Sequence, residues 1–339
     1  MTSAHGDAAE LSAQLSEHMN GFLYSAALYT VTLHGVADHL AGGPRTPEEL
    51  GELTGLHGPH LGRVLRYLST RQVFQEDAEG RFALTPMAEL LRSGVPGSLR
   101  DSFLMLGDDL YWKPVGRLHE TVRTGRTAFD EIYGAPFFAH LQTDPAAASL
   151  FNAGTAGFSH LVTEHVAQSY DFPDGATVVD VGGGRGGLLR SVLAAHPQIT
   201  GTLYDQASVI AEHQLDGPEV AGRWSTASGD FFTSVPAGHD HYLLKSILHD
   251  WSDENCLRIL QAVRAGMRKD SKLLVVDPVI PPGNTFDASK TIDVMMMAVY
   301  DGKERTQGEF EEILTKAGFR ITRILPTPSL MSVIEAVVA

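Results

Sequence analysis

The sequence predicts a mainly helical winged-helix domain followed by an α/β domain, whose doubly wound parallel sheet ends in an antiparallel hairpin. Three observations lead there. Thr177–Gly187 reads as a β-branched strand, a turn with five glycines in six residues, and then the amphipathic helix Leu188–Ala195. That order is the first crossover of a doubly wound sheet. Strands and helices alternate after it. Finally, Arg320–Leu325 and Met331–Val338 are joined by Pro326–Leu330 alone. A parallel crossover needs about 12 residues, so these two strands must pair antiparallel.

Residues 8–41 read as helix, because Leu11, Leu15, Met19, Phe22, Leu23, Ala26 and Ala27 recur at three- and four-residue steps. From Gly21 to Leu40 the segment is apolar on more than one face, so burial is expected, with a second subunit as the cover. Thr46-Pro47-Glu48-Glu49 is a capped helix start, and Leu61, Val64, Leu65 and Leu68 form the next helical stripe. Residues 73–76 and 81–84 read as the wing hairpin. Residues 97–168 look helical, with breaks at 124–126 and 134–136. Tyr111, Trp112, Phe129, Tyr133, Phe137, Phe138 and Phe151 lie there, as core or as the wall of a flat aromatic pocket. Further strands follow at 199–205, 224–227, 241–245 and 272–277, and helices at 253–267 and 307–317, with Gly318 as a stop. The expected division is a dimerisation domain over 1–100, a helical connector over 101–170 that contributes to the substrate pocket, and a catalytic domain over 171–339.

With 26 basic and 41 acidic residues the net charge is −15, which opposes a phosphate backbone as partner. The literal reading of a winged helix is DNA binding, and Arg63, Arg66 and Arg71 favour it, but the acid excess outweighs them. The single cysteine, Cys256, excludes an internal disulfide framework. The N-terminus lacks a basic start and an apolar run, and no apolar stretch reaches the ~18 residues of a membrane span, so a cytoplasmic protein without a membrane partner is expected. His239 and His241 sit two apart with no third ligand at a recognisable spacing, so no metal is expected.

The glycine loop fits two patterns. Gly182, Gly184 and Gly187 fit a dinucleotide fingerprint, whereas Asp180, Gly182, Gly184 and Gly186 fit the acid-glycine loop of S-adenosyl-methionine methyltransferases. Asp205, about 25 residues after Asp180, stands where a carboxylate meets ribose hydroxyls in either case. The terminal hairpin and the lack of a Tyr-x-x-x-Lys proton relay after the loop favour the methyl donor over NAD.

After this loop come Gly229-Asp230-Phe231, then Leu248-His249-Asp250-Trp251-Ser252-Asp253-Glu254, then Gly302-Lys303-Glu304-Arg305-Thr306. In that order behind a winged-helix domain, the chain resembles the two-domain, caffeate-type O-methyltransferases, whose bacterial members methylate aromatic natural products. The resemblance implies a Rossmann-like methyltransferase sheet, a homodimer, and S-adenosyl-methionine as donor with S-adenosyl-homocysteine as product. It implies His249 as general base with Asp277 and Glu304 as its acids. The usual residue at the first acid is Glu; Asp277 is one methylene shorter, so Glu304 is expected to do most of the orienting. For the cofactor it implies Ser159, Asp180, Gly182, Gly184, Asp205, Gly229, Asp230, Phe231 and Lys245. Candidate substrate contacts are Trp112, Thr155, Asp250, Asp293, Met296 and Met297. Asp250 is also the expected cap of the helix starting near Ser252. Thr155, where relatives that grip a phenyl ring often carry Met, points to a larger ring system. The alternatives are a nitrogen or carbon methyltransferase of the same fold, or a winged-helix regulator with a vestigial catalytic domain.

Overall fold

The computed structural model describes residues 8–339, the side chains of residues 158–161 excepted. It divides into two compact units, Met1–Asp108 and Asp109–Ala339.

In the first unit the expected helix over 8–41 is three helices, Ala8–Met19, Gly21–Leu33 and Val36–His39. Asn20 interrupts the first pair, and Gly35 takes a left-handed conformation (φ +62°) between the second. The apolar segment is buried on only one face within this chain. Gly21–Leu33 buries Ala27, Leu28 and Val31, but Leu15 and Met19 are 71 % and 70 % exposed, and Phe22 and Leu23 also face outward. Pro47–Thr54 starts at Thr46 with a capping box closed by Glu49. Gly58–Ser69 follows, and the wing is the antiparallel pair β1 (Phe74–Glu76) and β2 (Phe82–Leu84). Leu50, Leu65, Leu68, Phe74 and Phe82 form the core of this unit. Arg66 pairs with Glu76, and Arg71 pairs with Glu17 while lying over Tyr24 and Tyr67, so two of the three arginines there are engaged within the unit.

The second unit opens with helices Asp109–Gly116, Leu118–Thr124, Ala128–Tyr133, Phe137–Thr143 and Pro145–Gln168. Its sheet contains β3 (Thr177–Val181), β4 (Thr200–Asp205), β5 (Trp224–Ser228), β6 (His241–Lys245), β7 (Lys272–Ile280), β8 (Arg305–Thr306), β9 (Phe319–Pro326) and β10 (Met331–Val338). The order is β5-β4-β3-β6-β7-β10-β9, with β8 added beside the end of β7. β5, β4, β3, β6 and β7 are parallel, and β10 enters antiparallel between β7 and β9. The fold class expected from the sequence is therefore observed.

Two differences bear on the site. β7 runs three residues beyond Asp277, which was expected to end it, because β8 pairs with Val279 and Ile280. Helix Ala288–Val299, capped by Asp287, occupies a stretch read without an element. Helices Gly187–Ala195, Asp253–Gly266 and Gln307–Lys316 cover the sheet, and two apolar cores lie on its two faces. His241, on β6, is one of the buried residues, with its ring against Phe172 and Tyr170. Among the described residues no helix is long and apolar enough to cross a membrane.

Glu335 on β10 fastens the hairpin to the sheet. Its carboxylate accepts from Tyr170 at 2.6 Å, Lys272 at 3.0 Å, Thr322 at 2.5 Å and Arg323 at 3.1 Å. Burial alone would raise its pKa; the donors outweigh burial and bring it down to about 2. A depressed carboxylate stabilises the fold fully above its unfolded pKa, and that contribution fades as pH falls toward the folded value. Glu335→Gln is therefore expected to cost roughly 1–3 kcal/mol at pH 7, with a correspondingly lower Tm. In calorimetric scans the gap from the parent should shrink between about pH 4.5 and pH 2.

Candidate active site

The glycine turn leaves β3 at the carboxyl edge of the sheet, where such folds bind ligands. Gly182, Gly184 and Gly186 have φ of +68°, +59° and +86°, conformations that a side chain would strain. The Gly182 amide donates to the Tyr204 carbonyl at 2.8 Å, and the Gly184 amide to Asp205 Oδ2 at 2.9 Å. Asp205 Oδ1 accepts from the Gln206 amide at 2.6 Å, so this acid anchors the loop as well as ending β4. Phe231 and Ile247 crowd the space beside Gly182, and the Tyr204 hydroxyl fills the place a Gly229 side chain would need. Asp230 is exposed, and its Oδ1 accepts from the Phe232 amide at 2.9 Å, the geometry of a turn residue. Ser159 lies outside the described residues.

Asp180 is 1 % exposed, and beyond the weak pull of the Leu189 amide neither of its oxygens has a hydrogen-bond partner among the described residues. Burial pushes its pKa up to about 7, while nearby Lys245 at the end of β6 pulls the other way. A buried carboxylate in that state is costly until a cation meets it. Together with a glycine loop that keeps its backbone accessible, it fits the cationic amino-acid end of S-adenosyl-methionine.

Past Lys245 the chain turns sharply. Ser246 adopts φ +53°, uncommon for a residue with a side chain, and Leu248–Asp250 forms one tight helical turn that carries His249. Glu304 Oε1 lies 2.8 Å from His249 Nδ1. An ionised carboxylate only accepts, so Nδ1 carries the proton of that bond and Nε2 lies on the opposite side of the ring. The amide of Glu304 in turn donates to Asp293 Oδ1 at 2.9 Å, which seats the acid from helix Ala288–Val299.

The other two acids behave differently from expectation. Ser252, not Asp250, caps helix Asp253–Gly266, accepting from the Asn255 amide. Asp250 instead turns toward the imidazole, with Oδ1 3.5 Å from Nε2. Asp277 is fully buried, with neither oxygen hydrogen-bonded among the described residues; it acts on His249 through its charge alone. Burial would depress the His249 pKa, but Asp250, the Glu304 bond and Asp277 together hold it up at about 10. Burial raises Asp250 to about 6 and Asp277 to about 7, each partly offset by the imidazolium.

Two residues of the Gly302–Thr306 stretch do structural work that the sequence reading did not assign. A Cβ at Gly302 would run into the His249 carbonyl oxygen, so only glycine fits against this turn. Arg305, fully buried, donates to the Leu248 carbonyl at 2.7 Å and to Asp253 Oδ1 at 2.7 Å. It thereby staples the turn to the following helix. The signal was present in the motif, but these contacts are tertiary and carry no local pattern.

An aromatic cluster stands beside the turn. Phe138 stacks on Trp251 at 5.1 Å, and Phe137 meets Phe129, Phe151 and Tyr300 at 4.7–5.3 Å. Tyr111, rather than its neighbour Trp112, joins the cluster; Trp112 is exposed. The Thr155 hydroxyl returns to the Phe151 carbonyl of its own helix. Met296 is buried and Met297 half-buried on the helix that holds Asp293.

Comparison with known proteins gives a consistent result. Residues 115–320 match the family described as the O-methyltransferase domain, and residues 16–94 its dimerisation domain. The phenazine O-methyltransferase PhzM of Lysobacter antibioticus is 39 % identical, with 97 % of each chain covered. The 8-amino-8-demethylriboflavin N,N-dimethyltransferase of Streptomyces davaonensis is 34 % identical, covering 91 % of this chain and 90 % of the relative. Among solved structures, CalO1, a methyltransferase in calicheamicin biosynthesis bound to S-adenosyl-homocysteine, is 42 % identical, with a TM-score of 0.88 over 99 % of this chain and 100 % of that one.

The Glu304 contact is open to direct measurement. Glu304→Gln removes the carboxylate from Nδ1, and the imidazole pKa should fall by about 1–3 units, read by NMR titration of labelled histidine. An unmoved pKa would mean that Glu304 does not hold the ring in solution.

Proposed function

The chain belongs to the S-adenosyl-methionine-dependent O-methyltransferases, and within that family we propose that it methylates a hydroxyl of an aromatic or polycyclic natural product, with His249 as general base. The contact that carries this reading is the 2.8 Å bond from His249 Nδ1 to Glu304, which leaves Nε2 on the far side of the ring, facing Asp250. Asp180 would hold the cofactor's ammonium, the Gly182–Gly184 backbone its methionyl end, and Asp205 its ribose. Asp230, Phe231 and Gly229 would surround the adenine, with Lys245 and Ser159 toward the carboxylate. When bound, S-adenosyl-methionine supplies an electrophilic methyl group.

The protein's own part is to bind, orient and deprotonate. A phenol titrates near 10, and His249 is held at about 10, so proton transfer from one to the other is nearly balanced. The hydroxyl proton goes to Nε2, while Glu304 supports the imidazolium from Nδ1 and fixes the ring plane. Trp251 and Phe138 offer a flat apolar wall for the ring. Orientation of two bound reactants is the larger contribution, because effective molarities for aligned groups reach ~10⁵–10⁸ M.

A second reading, in which the acceptor is an aromatic amine, is favoured by the riboflavin-amine dimethyltransferase among the relatives. Parallel assays of aryl hydroxyls and aryl amines separate the two. We also assign the exposed Leu11, Leu15, Met19, Phe22 and Leu23 to a homodimer interface, supported by the dimerisation-domain match over residues 16–94.

Three outcomes are expected. His249→Ala should lower turnover by ~10²–10⁴-fold while S-adenosyl-homocysteine at ~100 times its Kd still stabilises the variant by about 2.7 kcal/mol in thermal melts; full activity would remove His249 as base. The base works unprotonated, so kcat/KM should rise with pH along a limb well above the ordinary histidine value of about 6.5. Leu15→Glu combined with Met19→Glu should give a monomer by sedimentation.

A further inference from the structure

Three segments expected around the cofactor meet at Tyr204. This residue stands on β4, one position before Asp205. Its carbonyl accepts from the Gly182 amide at 2.8 Å, which ties it to the glycine turn. Its ring is buried in the apolar core that also holds Val181 and Val235. Its hydroxyl donates to the Ser234 carbonyl at 2.6 Å. Phenylalanine would fill the same space in that core, and a buried hydroxyl is costly unless its hydrogen bond is made. The bond to Ser234 is therefore what the tyrosine adds.

That bond fastens a short turn. The Thr233 and Ser234 amides donate to the Asp230 carbonyl at 2.9 and 3.1 Å, and the Phe232 amide donates to Asp230 Oδ1 at 2.9 Å. The stretch Gly229–Ser234 is thus folded about Asp230. One end is tied to β4 by the Gly229 amide, which donates to the Asp205 carbonyl at 3.1 Å. The other end is tied to the same strand by Tyr204. The ring also limits how closely the turn can approach, since a Cβ at Gly229 would collide with Tyr204 Oη. Burial, followed by the charges of Asp230 and Asp205, holds the Tyr204 pKa above its ordinary value, so the hydroxyl stays protonated and donates. Asp230 itself is exposed, so its place depends on these tethers more than on packing.

We propose that Tyr204 is a positioning residue for the adenine end of the cofactor: its hydroxyl, through Ser234, holds Asp230 where a carboxylate can accept from the purine 6-amino group. The inference rests on the assignment of Asp230 to the adenine given above. It gives Tyr204 no contact with the reacting atoms and no part in proton transfer. A hydrogen bond to a carboxylate depends steeply on distance and direction. A turn released at one end therefore loses its preference for the amine before it loses the contacts to ribose and methionyl groups.

The test is isothermal calorimetry on the full-length protein, with S-adenosyl-homocysteine and with its purine analogue lacking the 6-amino group. The parent should prefer the amino compound by roughly 10–100-fold in Kd, the span of one hydrogen bond to a charged group. Tyr204→Phe should cut that preference by about threefold or more, with the Kd of the purine analogue nearly unchanged. Gly229→Ala pushes the hydroxyl off Ser234 while leaving the tyrosine in place. It should act in the same direction, and it decides the question if Tyr204→Phe does not fold. An equal weakening of both ligands, or an unaltered preference, in a folded variant overturns the assignment. Asp230→Ala separates this inference from the reading beneath it, because that variant should abolish the preference. If the parent shows none, or Asp230→Ala keeps it, the adenine assignment fails first and this inference falls with it.

Discussion

His249 is held by Glu304 at one nitrogen and faced by Asp250 at the other, in a place from which water is largely excluded. Much of the second unit can be traced back to that arrangement. The ring needs a turn tight enough to present it at the sheet edge, which β6 supplies from between β3 and β7. The acid needs a fixed backbone, which Asp293 supplies. The turn itself needs a floor and a staple. Gly302 supplies the first by having no side chain, and Arg305 the second by reaching the carbonyl of Leu248.

The same arrangement sets the charge pattern of the interior. Asp180 on β3, Asp277 on β7 and Glu304 just before β8 are buried, and Asp250 after β6 is largely so, against Lys245, Arg305 and the imidazole. Burying so many acids is unfavourable unless cations lie close. Lys245 answers Asp180, Asp277 and Asp250 at once, which explains a lysine at the end of a central strand. Asp180 and Asp277 are left without a hydrogen bond among the described residues. The surroundings of Asp180 and those of His249 are thus joined electrostatically through Lys245.

Much of this was legible from residue order, and the exceptions have physical causes. The β-branched run of β3 and the apolar runs of β6 and β7, bounded by Gly, Asp and Lys, marked the central parallel strands, since buried strands tolerate little else. Asn20 and Gly35 are single residues inside an apolar run, and periodicity alone passed over them. Helix Ala288–Val299 does carry a start signal in Asp287, whose carboxylate accepts from the Ser289 amide at 2.9 Å, but its Met-rich stretch has no sharp polar face. Asp250 and Ser252 are both good capping types two positions apart, and only the observed turn decides between them. Tyr111 and Trp112 are neighbours on one helix and so point about 100° apart. Which of them looks inward depends on what surrounds the helix.

The unpaired carboxylates also make the protein a reservoir of exchangeable protons. Asp180 and Asp277, both lifted to about 7, are each partly protonated at neutral pH. Any cation that settles beside Asp180 favours its ionised form and drives a fraction of a proton into solution. The apparent heat of association then contains the ionisation heat of whatever buffer receives that proton. Calorimetric enthalpies taken in phosphate and in Tris will differ, and their difference counts the protons displaced.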